Sequence, residues 1–158
     1  MMFSRANGGA IQLSTSTVAA LAAHRQVDHG AMEAGGVLLG RLILDSQDIV
    51  VDGITDPGPR DRRSRYFFYR TKDRTQLLID QAWRDSCGTR IYLGEWHTHP
   101  EPDPTPSAHD LRNWQRIALK AVYEQDRLLF VIVGWTEVRV WEMNKEGECV
   151  FLPRVVPD

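Results

Sequence analysis

The run Gly35–Leu44 (GGVLLGRLIL) limits the architectures open to this chain more than any other segment. It is short, apolar and opened by two glycines, which suits a buried strand. A second strand, Ile49–Ile54, is expected to pair with it across the turn at 45–48. Further strands are expected at Tyr66–Arg70 (YFFYR), at Arg90–His97 (RIYLGEWH) and in three closing runs, LLFVIVGW, EVRVWEM and ECVFLP. Helical patterns separate them. Ser14 or Ser16 can cap a helix through VAALAAHRQ that ends near Gly30. Lys72–Ser86 brings Leu77, Leu78, Ala82 and Trp83 to near-helical spacing, and Ser107 opens a third helix reaching about Tyr123. The stretch TDPGPRDRRSR, rich in Pro, Gly and charge, reads as a loop, and residues 1–12 read as a polar start. Helices alternating with strands imply an α/β fold, and the late hairpins imply a β-sheet of mixed direction flanked by helices.

With 158 residues, 42% of them hydrophobic, the expectation is a single domain over 1–158 with one core. A net charge of -2 offers no basic field, which argues against nucleic acid as a partner. Cys87 and Cys149 lie far apart without C-x-x-C spacing, so a thiolate metal site and a disulfide framework are both unexpected, and a reducing, cytoplasmic setting fits. The start lacks the apolar core of a signal peptide, and no segment has the roughly 20 apolar residues that span a bilayer, so no membrane role is expected.

The chemistry concentrates in His97-Thr98-His99, followed by seven residues, Ser107, two more, and Asp110. Alternate side chains of a strand share a face, which sets the two imidazoles about 6 to 7 Å apart at Cα. That spacing lets two nitrogens converge on one ion at roughly 2.0 Å each. Asp110 arrives from the first turn of the next helix, and the prolines of PEPDPTP stiffen the loop that sets its position. Two imidazoles and one carboxylate leave a tetrahedral zinc with an open fourth position, the arrangement of a catalytic site. One zinc per chain is expected. A single histidine on a strand is more often a satisfied polar residue than a ligand, and Ser107 with Asp110 fits a capping box. The capping reading accounts for that pair but is silent on the two histidines.

A hydrolase also needs a proton acceptor, and the candidate is Glu33, directly before the glycine pair and the buried strand. An acid there stands at the lip of the sheet, where it can face a cleft; the alternative is a solvated residue at a helix-to-strand junction.

The segments E-x-G-G-x-L-L-G at Glu33–Gly40 and G-x-W-H-T-H-P with S-x-x-D at Gly94–Asp110 resemble the JAMM (MPN-plus) metalloproteases, the isopeptidase family that includes zinc deubiquitinases. The resemblance implies a sheet between helices similar to that of cytidine deaminases. It also implies zinc ligation by His97, His99 and Asp110, proton transfer by Glu33, and stabilisation of the oxyanion by Ser107. GEWHTHP and the PRDRRSR loop are most similar to bacterial members found with antiphage signalling operons. For those the implied partner is a protein with an extended C-terminal tail, a cGAS-like nucleotidyltransferase conjugated through its C-terminus to targets. Other bacterial relatives act on ubiquitin-like or sulfur-carrier proteins.

Several features read as background. Arg60, Arg62, Arg63 and Arg65 form a solvated charged loop or a contact for an acidic partner. His109 is expected to face away from Asp110, while Trp83, Trp96, Trp114, Trp135 and Trp141 are expected in the core. His24 and His29 have no metal-ligand partner in the pattern. A His-His-carboxylate set also suits a non-haem iron oxidoreductase, which has no need of Glu33. A metal-free interaction module would not require the intact ligand set, and the H-x-E and P-C-x-x-C signatures of a deaminase are absent.

Overall fold

The elements of the computed structural model, which describes residues 1–156, run in chain order as β1 (Met2–Ser4), β2 (Ala10–Leu13), α1 (Thr15–Ala23), β3 (Gly35–Leu42), β4 (Ile49–Ile54), β5 (Arg62–Arg63), β6 (Phe68–Tyr69), α2 (Lys72–Asp85), β7 (Ile91–Thr98), α3 (Ala108–Lys120), β8 (Leu128–Val133), β9 (Val138–Met143), β10 (Cys149–Leu152) and β11 (Arg154–Val155). One nine-stranded sheet has the spatial order β10, β9, β8, β7, β3, β4, β2, β1, β11, and β5 with β6 forms a separate two-stranded ribbon. β7 and β8 are parallel, as are β2 and β4, and the remaining pairs are antiparallel. The mixed α/β sheet expected from the sequence is therefore present.

Why the closing run LLFVIV is apolar at every position follows from its place. Leu128, Phe130 and Ile132 face Trp114 and Ala118 of α3, while Leu129, Val131 and Val133 face the larger cluster with Phe3, Ile11, Leu38 and Trp96. A strand covered on both faces has no solvent side on which a polar residue could sit. α3 is fixed by aromatic packing, with Trp114 stacked on Phe130 at 4.6 Å between ring centroids.

The two ends of the sheet are nearly joined. β10 and β11 occupy opposite edges yet are separated in sequence by Pro153 alone, so the sheet curls until its edges meet there. Ser4 N–H donates to Pro153 O at 2.9 Å, closing the seam. The larger hydrophobic cluster draws on β1, β2, β3, β4, β7, β8, β9 and β10, and Leu21 of α1 joins it. Arg5, just past β1, reaches Glu142 on β9 at 2.6 Å, a buried ion pair across the curl.

Several expectations need correction. Residues 1–12 are not a featureless start, because β1 and most of β2 lie there and pair with each other and with β11. The aromatic strand Tyr66–Arg70 contracts to Phe68–Tyr69 and joins the ribbon, whose other strand is Arg62–Arg63 from the expected loop. Trp83 is 53% exposed and Leu77 66% exposed, so the apolar stripe of α2 is not buried as its spacing suggests. Trp135 is also partly exposed, with its indole N–H donated to Gln26 O at 2.9 Å. Trp96, Trp114 and Trp141 are in the core as expected. Among the described residues, no helix is long and apolar enough to cross a membrane.

Candidate metal centre

β3 and β7 pair antiparallel with Gly35 opposite His97. Continuing that register sets Ala34 beside Thr98, whose N–H donates to Ala34 O at 2.9 Å and whose hydroxyl accepts from Ala34 N at 2.9 Å. Glu33 therefore comes level with His99, although 66 positions of sequence are not what connects them; two backbone strands are. Thr98, pointing away from the histidines, donates to the buried Gln26 side chain at 2.7 Å, which fixes the strand from behind. Arg63 grips the other side of Glu33, donating to its carbonyl at 2.7 Å, while Glu33 N–H donates to Ser64 O at 2.7 Å.

The three expected ligands converge. His97 Nε2 and His99 Nε2 lie 3.0 Å apart, His97 Nε2 is 3.3 Å from Asp110 Oδ1, and His99 Nε2 is 3.3 Å from Asp110 Oδ2. An ion with bonds of about 2.0 to 2.2 Å to tetrahedral ligands separates those ligands by about 3.3 to 3.6 Å. The observed triangle is close to that size, and two nitrogens plus a carboxylate form a donor set suited to zinc. The residues present thus fit a metal ion. Trp114 meets the His97 ring nearly edge-on at 6.3 Å and shields it from one side.

Charges in the site are strongly displaced. Burial pushes the Glu33 carboxyl up to about 8, with nearby His99 partly opposing the rise and Asp110 adding to it. Burial alone would raise Asp110 too, but hydrogen bonds from His97 and His99 hold its carboxyl well below the usual carboxylate range. Burial disfavours protonated His99, yet hydrogen bonds to Asp110 and Glu101 outweigh it and raise its pKa. A buried acid poised near neutrality beside a candidate metal triad has the character of a general base.

Ser107 is the N-cap of α3. Its Oγ accepts from Asp110 N–H at 3.1 Å and donates to Asp110 Oδ2 at 2.7 Å, and its own N–H donates to the same oxygen at 2.7 Å. The capping box is thus present, and it also orients the Asp110 carboxylate toward the histidines.

Glu33, His97, His99, Ser107 and Asp110 all line one cleft of about 630 Å³. One wall is Tyr66, Phe67, Phe68 and Tyr69 of the ribbon; the opposite wall is the segment from Pro100 to Pro106 and the start of α3. Arg70, at the end of the ribbon, is paired with Glu95 at 2.7 Å, which ties the aromatic wall to β7. His109, expected to turn away, lines this cleft instead and lies 3.1 Å from the Tyr69 hydroxyl across it. Its neighbour in sequence commits to the metal triangle, but the first turn of the helix is broad enough to show both side chains to one opening. Glu95 was within reach of sequence reasoning, since it shares a strand face with His97. Arg63 was not: its role depends on the ribbon folding back over Glu33. Of the basic loop, Arg63 and Arg65 are occupied by backbone carbonyls of Met32, Glu33, Asp28 and His29. His24 pairs with Asp56 at 2.9 Å, away from the triad.

A sequence profile of prokaryotic homologues of the JAB domain matches residues 14–144. A protein of Vibrio cholerae serotype O1 named CD-NTase/cGAS isopeptidase is 38% identical over 133 residues, covering 84% of this chain and 80% of the relative. A Pseudomonas aeruginosa protein of the same name is 36% identical over 144 residues, covering 90% and 89%. The solution structure of a Desulfitobacterium hafniense protein superimposes with a TM-score of 0.62 at 26% identity, covering 89% of this chain and 88% of that one.

Proposed function

We propose, from the premise that this chain belongs to the family of prokaryotic homologues of the JAB domain, that it is a zinc-dependent isopeptidase releasing a protein joined through its C-terminus to a target. The observation that carries this reading is the buried acid Glu33 facing the same cleft as the His97, His99 and Asp110 triangle. The names of the Vibrio and Pseudomonas relatives support a cGAS-like nucleotidyltransferase as the conjugated protein.

His97 Nε2, His99 Nε2 and one Asp110 oxygen would hold the metal. When bound, the ion supplies a Lewis acid for the scissile carbonyl and lowers the pKa of water at the site. Glu33 accepts a proton from the attacking water and returns it to the leaving amine. A single carboxylate suffices for both transfers, and no covalent bond to the chain is needed. The raised pKa of Glu33 suits the second transfer, and a cation beside it would draw the pKa down toward the first. Ser107 donates to the developing oxyanion once its hydroxyl turns from Asp110. Trp114 packs its ring edge-on against His97 and limits how that imidazole can turn. The aromatic wall Tyr66–Tyr69 receives the extended tail of the substrate.

The test is to express the Glu33→Ala variant in the native host and to identify by mass spectrometry the conjugates that accumulate. A nucleotidyltransferase linked through its C-terminal carboxyl is expected. Accumulation of no conjugate, with the variant folded and metal-loaded, would overturn the reading.

A further inference from the structure

His99 presents one nitrogen to His97 and Asp110 and the other to a carboxylate outside the matched motif. Its Nδ1 lies 2.9 Å from Glu101 Oε1, and that oxygen also accepts from Thr105 N–H at 3.1 Å. The backbone around Glu101 is clamped. Its carbonyl accepts from Trp135 N–H at 2.8 Å, and Pro102 O accepts from the Thr136 hydroxyl at 3.0 Å. Gly134 allows this approach, because a Cβ there would stand 2.6 Å from Pro102 O and 2.7 Å from Glu101 O. The carboxylate is therefore delivered to His99 by a segment pinned to the turn after β8, not by a free loop.

A neutral imidazole carries its proton on one nitrogen only, and a metal needs the lone pair of the other. A carboxylate accepting from Nδ1 selects the tautomer that frees Nε2 and also fixes the ring plane. We propose that Glu101 is a positioning residue: it holds His99 as the Nδ1–H tautomer with Nε2 aimed at the His97–Asp110 pair, and so strengthens metal binding there. This rests on the metal-centre reading above. His97 receives its orientation differently, from Trp114 against its ring. Thr105 N–H offers a rival explanation, in which Glu101 merely holds its loop. The Glu101 side chain is 42% exposed against 14% for His99, so its truncation leaves little buried structure unsupported.

The experiment compares the wild type with Glu101→Ala, Glu101→Gln and His99→Ala, using cobalt as the probe ion and chelator competition followed by visible absorption. Long-range ¹H–¹⁵N NMR of the metal-free proteins reads the His99 tautomer, and thermal melts of the same samples read the fold. We expect Glu101→Ala to bind cobalt about 10- to 100-fold more weakly, with Glu101→Gln between it and the wild type because an amide oxygen still accepts from Nδ1. The His99 signal should move from a single Nδ1–H form to a mixture in Glu101→Ala, while the metal-free melting temperature stays near that of the wild type. Cobalt affinity within twofold of the wild type, or an unchanged tautomer with a lowered melting temperature, would leave Glu101 as a loop anchor and overturn the inference. Those outcomes leave the metal centre intact, provided that the wild type binds cobalt and His99→Ala does not. A wild type that takes up no cobalt overturns the metal centre itself, and this inference with it.

Discussion

His97 and His99 meet because a strand repeats its direction every second residue, whereas Asp110 reaches them only because Ser107 starts α3 at the right place. As the proposed ligands, these three side chains leave no redundancy. Replacement of His97, His99 or Asp110 by Ala is expected to abolish stoichiometric zinc binding, measured by metal analysis after dialysis. Full occupancy in all three variants would remove the site. Glu33 tests the chemistry separately from the metal. Glu33→Gln should retain zinc and lower turnover by about 10² to 10⁴, the usual worth of a positioned general base. Its raised pKa has a second consequence in the metal-free protein. An acid whose pKa is higher folded than unfolded contributes stability that is full below about 4.5 and is lost as the pH rises through about 8. The glutamine carries no such loss. Metal-free Glu33→Gln should therefore melt close to the wild type at low pH and several degrees above it at high pH, at about 2 to 4 °C per kcal/mol. Equal melting at both ends of that range would mean Glu33 is not desolvated. Ser107 caps α3, and its proposed part at the oxyanion can be told apart from that. Ser107→Ala should cost about 1 kcal/mol through the lost cap, and about 10² to 10³ in rate if the hydroxyl also serves the oxyanion. A destabilised variant with normal turnover would leave it as a cap alone.

β7 carries the histidines at its end, and its position depends on a residue near its middle. Gly94 has φ 151° and lies opposite Leu129 in the parallel β7–β8 pairing, with Leu129 O so close that a Cβ could not fit. Gly94→Ala should force the two strands apart and lower the melting temperature markedly. Zinc affinity should fall with it, since His97 and His99 ride on the displaced strand. A variant with an unaltered melting curve and full zinc affinity would contradict the close approach. Gly35 serves the site in another way, leaving a space that the Phe68 ring enters to bring the aromatic wall against β3. How far such elements could be read from the sequence depended on how local their causes are. Ile49–Ile54 is found within its expected bounds, and the Ser107 start of α3 agrees as well, because each is written in consecutive residues. β1 and β2 were hidden because three or four residues show too little alternation, and their partners β4 and β11 come from distant parts of the chain. α2 misled for the opposite reason. Its period is right, but it covers the sheet so lightly that Thr75 is its one buried residue. At the site, the convergence of His97, His99 and Asp110 was legible as a spacing. The gripping of Glu33 by Arg63 and the bridge from Tyr69 to His109 were not, since both require the ribbon to fold over the cleft.

The curled sheet brings its two edges together at Pro153, and the chemistry lies in one cleft with two unlike walls. The aromatic wall offers apolar faces to an extended peptide, and the proline-rich segment opposite it is stiff. The reacting centre itself cannot tell an isopeptide from a peptide bond, since both present the same carbonyl and a leaving amine. Selection must then come from contacts along the chain upstream of the cut. On the proposed reading, a fusion carrying the C-terminal residues of a cGAS-like nucleotidyltransferase ahead of an unrelated protein should be cleaved directly after the native last residue, leaving a free carboxylate. Changing the last few residues of that tail should lower kcat/KM by about tenfold or more, equivalent to about 1.4 kcal/mol of lost transition-state binding. Changing the first residue after the cut should matter far less, because the leaving amine belongs to whichever target is conjugated. Product masses and kinetics for the native, scrambled and single-residue variants decide the matter. Scattered internal cleavage, or equal rates with a scrambled tail, would make the protein a general metallopeptidase whose cleft walls carry no selectivity.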